Sequence, residues 1–596
     1  MTTYRLAFVD LSANNVDYIT LSWDDVSGFI GGRGLGVALV YRNSASADAL
    51  AGDNLLCVMT GPLTGSGFPM ANRLTFIFIS PMTNTIAWAN TGGYAGAELR
   101  NAGVDGIVVK GVSERPCYLY VSRGVVEVRD ASSLWGRGAV DAVMAFRHMH
   151  GDCRVLAIGP AGERLVKIAT VVNDTGRSSG VRHGVGCVMG SKRLKAIVIR
   201  GSPRPEAKPA DASRFIQRLK EAQSRIRASH LLNHENGLLA VYGTPIAVEA
   251  LGSNDAIPVK NYRETTLPEY SRLGGRAMAE GVLINRMTCS YCPVSCRRET
   301  ASSQAYSFRV EGPDYAQISS LGSNCMVMDL EAISYMNYLC YELGIDPIEA
   351  GNALAMLAEA SELGYVEEGL RWGDVERMLG LLRAMALREE GLGEVLSYGA
   401  CRAAEDLGCP ELSMSVKGIT IQNTDPRVEP AWGLLNAVES FGGAVHIWVY
   451  GQLIQSLAKL GVDVRIRDFN DAWEVASESY RKQVEVAVLD SLQVCAFSSY
   501  AIPLETLAGA LEAMLGRKLD AGQLEYAGLS ILEAEKLVNE VRGINWSSPL
   551  PRRFLEEEIP SGRHRGRVCE LNPLLREYSG VAKHPTPPLE AIPKLL

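Results

Sequence analysis

MTCSYCPVSCRRE, residues 287–299, sets Cys289, Cys292 and Cys296 in a C-x2-C-x3-C pattern with no fourth cysteine and no histidine beside them. Thiolates are ligands for zinc and for iron–sulfur clusters, so this stretch decides what the rest of the chain must be built to hold. Structural zinc commonly uses a second pair, C-x2-C or H-x3-H, and the chain has none. Radical enzymes of the adenosylmethionine type place the longer gap first, the reverse of the order seen here. A [4Fe–4S] cluster completed by one distant cysteine fits the spacing best. The chain has thirteen cysteines, so ten remain as candidates for the fourth ligand. Cys57, Cys117, Cys187, Cys325 and Cys340 lie among apolar or small residues and read as buried small hydrophobes. Cys495, in VAVLDSLQVCAFSSY (486–500), also has apolar neighbours, and spacing alone does not single it out.

The chain has 596 residues, long enough for two or three domains and for enclosing a large cofactor. A net charge of −8 argues against a nucleic-acid binder. No apolar run is long enough to span a bilayer, and MTTYRLAFVDLSANN lacks the regions of a signal peptide, so a cytoplasmic protein without a membrane contact is expected. Residues 1–205 alternate short β-type runs with glycine (RLTFIFIS, DGIVVKG, CYLYVS, RVLAIG, LKAIVIRG) and read as a sheet-rich domain. RGSPRPEAKPADASR (200–214) reads as a linker. Residues 206–415 read as helical: Leu330, Ile333, Met336, Cys340 and Leu343 fall at helical spacing, with Gly344 at the stop. Asp346, Pro347 and Glu349 then read as a cap, a first-turn proline and the far end of a capping box. Residues 416–596 begin with loops and continue with helices.

GGRGLG (31–36) and GVRHGVGCVMGSK (180–192) are glycine-rich, yet neither has the spacing of a dinucleotide or Walker loop. Such loops are able to bring backbone amides up to the phosphates of another cofactor. GGRGLGVALVYR (31–42), TGPLTG (60–65), NTGGYAGAELRNAGVDGIVVKG (90–111), GPAGE (159–163), HGVGCVMGSKRLKAIVIRG (183–201), the cysteines followed by EGPDY (311–315), and VKGITIQNTDPR (416–427) occur in that order. Together they resemble the tungsten-containing aldehyde ferredoxin oxidoreductase family over nearly the whole chain.

The resemblance implies an α+β multidomain fold, an N-terminal β-sheet-rich saddle domain followed by two mainly α-helical domains. It implies a tungsten or molybdenum bis-pyranopterin, one [4Fe–4S] cluster and a Mg2+ bridging the pterin phosphates. Cys289, Cys292, Cys296 and Cys495 would be the cluster thiolates, Cys495 closing a family pattern D-x-x-G-L-C that here reads DSLQVC. Asp490 would accept the N–H edge of a pterin through both carboxylate oxygens. In the companion pattern YELGID (341–346), Tyr341 replaces the first acid and Asp346 remains. Arg73 resembles the arginine between cluster and pterin. Asn90, Gly92, Gly93, Arg182, Gly184 and Gly186 resemble the loops that support the pterin and its phosphates.

For proton transfer, Asp314 stands where the family has glutamate in GPEY, about 1.5 Å shorter in reach, and His446 in FGGAVHIW resembles the family histidine. The implied function is oxidation of an aldehyde and water to a carboxylic acid, with electrons passing through the cluster to ferredoxin, in a protein that is a possible homodimer. Two alternatives stand beside it. One is a relative acting on a sugar aldehyde or an activated aromatic acid. The other is an electron-transfer subunit that has lost the pterin.

Overall fold

The computed structural model describes residues 3–174, 182–202, 208–443, 468, 470–583 and 585–594. The first two hundred residues build two mixed sheets. The larger contains β1 (Thr3–Asp10), β2 (Asn15–Ser22), β3 (Leu56–Met59), β4 (Leu74–Ile79), β5 (Ile86–Thr91) and β6 (Gly106–Lys110), in the order β2-β1-β6-β3-β4-β5. The smaller contains β7 (Cys117–Ser122), β8 (Val125–Asp130), β9 (Arg154–Ile158), β10 (Val171–Asn173) and β11 (Leu194–Arg200), in the order β10-β9-β11-β7-β8. LCVM, LTFIFI and IAWANT are buried along their whole length, because both faces of β3, β4 and β5 are covered. The helix Gly32–Ser44 lies against β4, where Gly36 leaves no room for a side chain beside Ile77.

The remainder is largely helical, with one element that the sequence reading missed. Within the span expected to be helical, β12 (Leu283–Met287), β13 (Arg297–Ser303) and β14 (Ser307–Glu311) form an antiparallel sheet. LINRM and RRETASS are too polar to show the alternation of a half-buried strand, so no periodicity announces them. The three cysteines occupy the connection between β12 and β13.

The expected helix at 330–343 is present as Leu330–Leu343, and Gly344 ends it at φ +77°, a left-handed conformation that suits glycine. Asp346 caps the next helix, Pro347–Glu362, through Ile348 N at 2.9 Å. The capping box expected of Glu349 does not form. Its carboxylate instead accepts from Arg182 Nη2 (3.0 Å), Thr420 N and Thr420 Oγ1, since a buried charge finds more there than at a helix end.

This turn joins the sheet region to the helices. Thr170 N donates to Gly344 O and Asp346 N to Ile168 O, both at 2.9 Å. A Cβ on Gly344 would stand 2.6 Å from Gly159 N, and one on Gly159 would stand 2.4 Å from Leu343 O. Two backbones therefore meet where neither has a side chain. Gly344→Ala combines this clash with left-handed strain and should cost about 2 kcal/mol or more in urea unfolding. A loss within the roughly 0.5 kcal/mol of a surface change would show that the junction yields.

Candidate active site

Four of the chemistry-bearing cysteines meet although they lie about two hundred residues apart in sequence. Cys289, Cys292, Cys296 and Cys495 line one pocket with Met70, Asn72, Arg73, Gly92, Thr244, Arg297, Asp314 and Phe497. All four are free thiols. Burial and the neighbouring thiols Cys289, Cys296 and Cys495 push the Cys292 thiol well above its ordinary range. Bringing these groups together without a cation is therefore unfavourable in the ionised form. Among the described residues, no three His, Cys, Asp or Glu side chains close on a single-ion position.

The segment 70–73, before β4, joins the two cysteine stretches. Met70 N donates to Tyr291 O (3.2 Å), and Cys495 N donates to Met70 O (3.0 Å). Asn72 Nδ2 donates to Ser290 O (2.9 Å), and Arg73 N to Gln493 O (3.1 Å). Arg73 Nη2 also donates to Cys495 Sγ at 3.0 Å, and Gly93 N to Cys289 Sγ at 3.2 Å. Donors of this kind stabilise thiolate charge and tune a cluster held by it. Gly92 lies in the same place, where a Cβ would be 3.1 Å from Cys289 Sγ and 3.3 Å from Arg73 Nη1. From the other side, buried Arg297 pairs with Glu311 through two hydrogen bonds and donates to Thr288 O (2.8 Å), anchoring the start of the cysteine loop.

Asp490 sits in the last turn of the helix Ala472–Leu492. Its Oδ1 accepts from Asn90 Nδ2 at 2.6 Å, and its Oδ2 faces Arg33 Nη1 at 3.4 Å. Arg33 was not foreseen as a site residue. It is fully buried, stacks 4.2 Å over Trp88, and holds Glu535 by two hydrogen bonds (2.7 and 2.9 Å) with Glu439 3.5 Å away. The only sequence signal was a charged residue inside GGRGLG. The glycines of that motif serve close packing: a Cβ on Gly32 would strike Asp490 O, and one on Gly34 would strike Phe29 O. Three carboxylates gather around one guanidinium. Burial pushes Glu439 up to about 7 and Asp490 up to about 6, against the attraction of Arg33.

Arg182 and Asp346 form a buried pair at 2.6 Å that also includes Glu349. Asp346 thus caps a helix and balances an arginine. Gly184 and Gly186 lie against the chain itself: a Cβ would meet Lys167 O at 2.5 Å or Thr170 O at 2.4 Å. Internal packing is therefore enough to require both glycines. Tyr341 is buried in a small apolar cluster with Val172, Phe308 and Val310. Asp314 caps the short helix Tyr315–Leu321, and its Oδ1 accepts from Thr244 Oγ1 at 3.1 Å. It borders the cysteine pocket. His446 lies outside the described residues.

Protonation of Glu439 below its ordinary 4.5 is the same in the folded and unfolded chain; between 4.5 and about 7 only the folded form holds the proton. The stability this contributes is complete at low pH and is lost as pH rises through 7. Glu439→Gln removes the titration. Unfolding from pH 4.5 to 8 should show the wild type losing up to about 3 kcal/mol relative to the variant. A difference that does not change with pH would place the proton elsewhere.

Known proteins match nearly the whole chain. Residues 6–201 match the family model for the aldehyde ferredoxin oxidoreductase N-terminal domain, and residues 217–581 match the model for its domains 2 and 3. A tungsten-containing aldehyde ferredoxin oxidoreductase of Pyrococcus furiosus is 34% identical over 590 residues, 96% of this chain and 95% of that protein. The WOR-like subunit of an aliphatic sulfonate oxidoreductase from the same organism is 26% identical, covering 99% and 96%. In fold, the active site complex BamBC of benzoyl coenzyme A reductase, solved with 1,5-dienoyl-CoA, superposes with a TM-score of 0.81 at 22% identity, over 98% and 95% of the two chains. Matched by both models and by a relative of nearly equal length, the chain belongs to the aldehyde ferredoxin oxidoreductase family.

Proposed function

We propose that this protein oxidises an aldehyde and water to a carboxylic acid, releasing two protons and passing two electrons, one at a time, through a [4Fe–4S] cluster to ferredoxin. The observation that carries this reading is the convergence of four free cysteines on one pocket, with Arg73 Nη2 donating to Cys495 Sγ. The full-length likeness to a tungsten-containing aldehyde ferredoxin oxidoreductase supports it. Cys289, Cys292, Cys296 and Cys495 would hold the cluster. Asn90 and Asp490 would face a pterin, since they form a buried polar pair within reach of the same turn. A tungsten or molybdenum bis-pyranopterin, when bound, supplies the two-electron redox chemistry and the Lewis acid.

The chain's own residues then bind, orient and move protons. Arg73, donating to Cys495 Sγ, would offset thiolate charge. The partly exposed cysteine loop gives electrons a short way out. Asp314 accepts a proton with its carboxylate held by Thr244, and His446 is the proposed partner in relaying it. Ferredoxin as acceptor and a second copy of the chain as partner remain part of this reading. Among the described residues no helix is long and apolar enough to cross a membrane.

Asp314, an aspartate where the family has glutamate, favours a second reading, a substrate other than a simple aldehyde. Family relatives include a glyceraldehyde-3-phosphate:ferredoxin oxidoreductase of P. furiosus, 22% identical over about half of each chain, and the sulfonate oxidoreductase subunit.

Protein purified without oxygen should contain about four irons per chain together with tungsten or molybdenum. Iron without either metal would reject the proposal. An aldehyde panel with viologen as acceptor separates the two substrates: turnover on simple aldehydes supports the first, and none supports the second. Asp314→Asn should lower kcat by on the order of 100-fold or more with iron content unchanged. A variant as fast as wild type would remove Asp314 from proton transfer.

A further inference from the structure

Residue 493 is glutamine where the family pattern has glycine, and its surroundings explain why a side chain is kept there. Gln493 ends the helix Ala472–Leu492 at φ +62°, a left-handed conformation that glycine adopts without strain and other residues disfavour. The backbone alone gains nothing from the substitution. The side chain is fully buried. Its Nε2 donates to Thr75 Oγ1 at 2.6 Å and to the carbonyl of Asp490. A carbonyl only accepts, so the orientation of the amide is set: nitrogen toward Asp490 O, oxygen away. Thr75 Oγ1 passes its own hydrogen to Asn90 Oδ1, and Asn90 Nδ2 donates to Asp490 Oδ1 at 2.6 Å. The four residues form a closed ring in which each donor polarises the next and the last acceptor is a carboxylate. Among the described residues Gln493 Oε1 has no hydrogen-bond partner. The main-chain carbonyl of Gln493 accepts from Arg73 N, and Arg73 reaches Cys495 Sγ, so the ring is tied directly to the thiol pocket.

We propose that Gln493 is a positioning residue for the pterin: acting through Thr75, its amide nitrogen fixes Asn90 and, through Asn90, Asp490. Pterins present an amino group and ring N–H groups along one edge, which need several convergent acceptors. This inference rests on the cofactor proposed above and concerns residues of this chain alone.

The test compares wild type, Gln493→Gly and Thr75→Val, all purified without oxygen and passed through gel filtration. It reads pterin per iron, by fluorescence of the oxidised pterin, and the spectrum of the reduced cluster. Loss of one buried hydrogen bond corresponds to about tenfold in affinity. Gln493→Gly should keep its iron and cluster spectrum, should unfold no earlier than wild type because the left-handed strain is relieved, and should retain several-fold less pterin per iron. Thr75→Val, which cuts the ring at another strand, should shift the ratio in the same direction and serves if the glycine variant folds poorly. A pterin-to-iron ratio equal to wild type in both variants overturns the inference, whatever the change in melting temperature. Wild-type protein with a cluster and no pterin overturns the proposed cofactor itself, and this role with it.

Discussion

The site depends on four residues before β4. Segment 70–73 hydrogen-bonds with its backbone and side chains to the loop 289–296 on one side and to the turn 493–495 on the other. Neither cysteine stretch meets the other through a regular element of its own. Four thiols gathered in a half-buried pocket repel one another once ionised, so they need an external frame until a cluster compensates them. The strongly buried sheet edge of β4 and β5 supplies that frame; both strands are buried along their whole length, and the helix Gly32–Ser44 packed on β4 is buried from Gly32 to Val40.

A second set of constraints is electrostatic. Arg33 and Arg182 are both buried, and each gathers more than one carboxylate: Asp490, Glu439 and Glu535 around the first, Asp346 and Glu349 around the second. Buried ion pairs add little net stability, but removing one member leaves an uncompensated charge. Such networks therefore specify geometry. Here they hold the ends of the helices Ala472–Leu492 and Pro347–Glu362 against the sheet region, the two places where acids of the paired D-x-x-G-L patterns were expected. The patterns diverge in chemistry: at the first, Asp490 faces a polar ring, whereas Tyr341 at the second has joined an apolar cluster.

Much of the architecture was legible in the chain itself. The apolar β-runs of the first two hundred residues, the helix Leu330–Leu343 with its terminal glycine, and the buried character of Cys57, Cys187 and Cys325 follow from local periodicity and side-chain chemistry. The sheet β12 to β14 was not legible, because β12 and β13 are polar and its apolar face comes from Phe308 and Val310 of the short strand β14. Arg33, Glu439, Thr75 and Gln493 were missed for a related reason. Each is an ordinary polar residue in sequence, and only burial makes its partners matter.

The sequence by itself determined the kind of chemistry: three thiols at a spacing suited to an iron–sulfur cluster, within an ordered set of motifs that resembles one family. Only the tertiary structure decided how the ligands meet. It brought Cys495 to the loop 289–296, set Asp314 within hydrogen-bonding distance of Thr244, and packed the glycines at 32, 34, 184 and 186 closely against neighbouring backbone. The physical reason is one of range. Spacing records what neighbours along a chain are able to bind, whereas hydrogen bonds, burial and charge compensation act between residues that the fold makes adjacent.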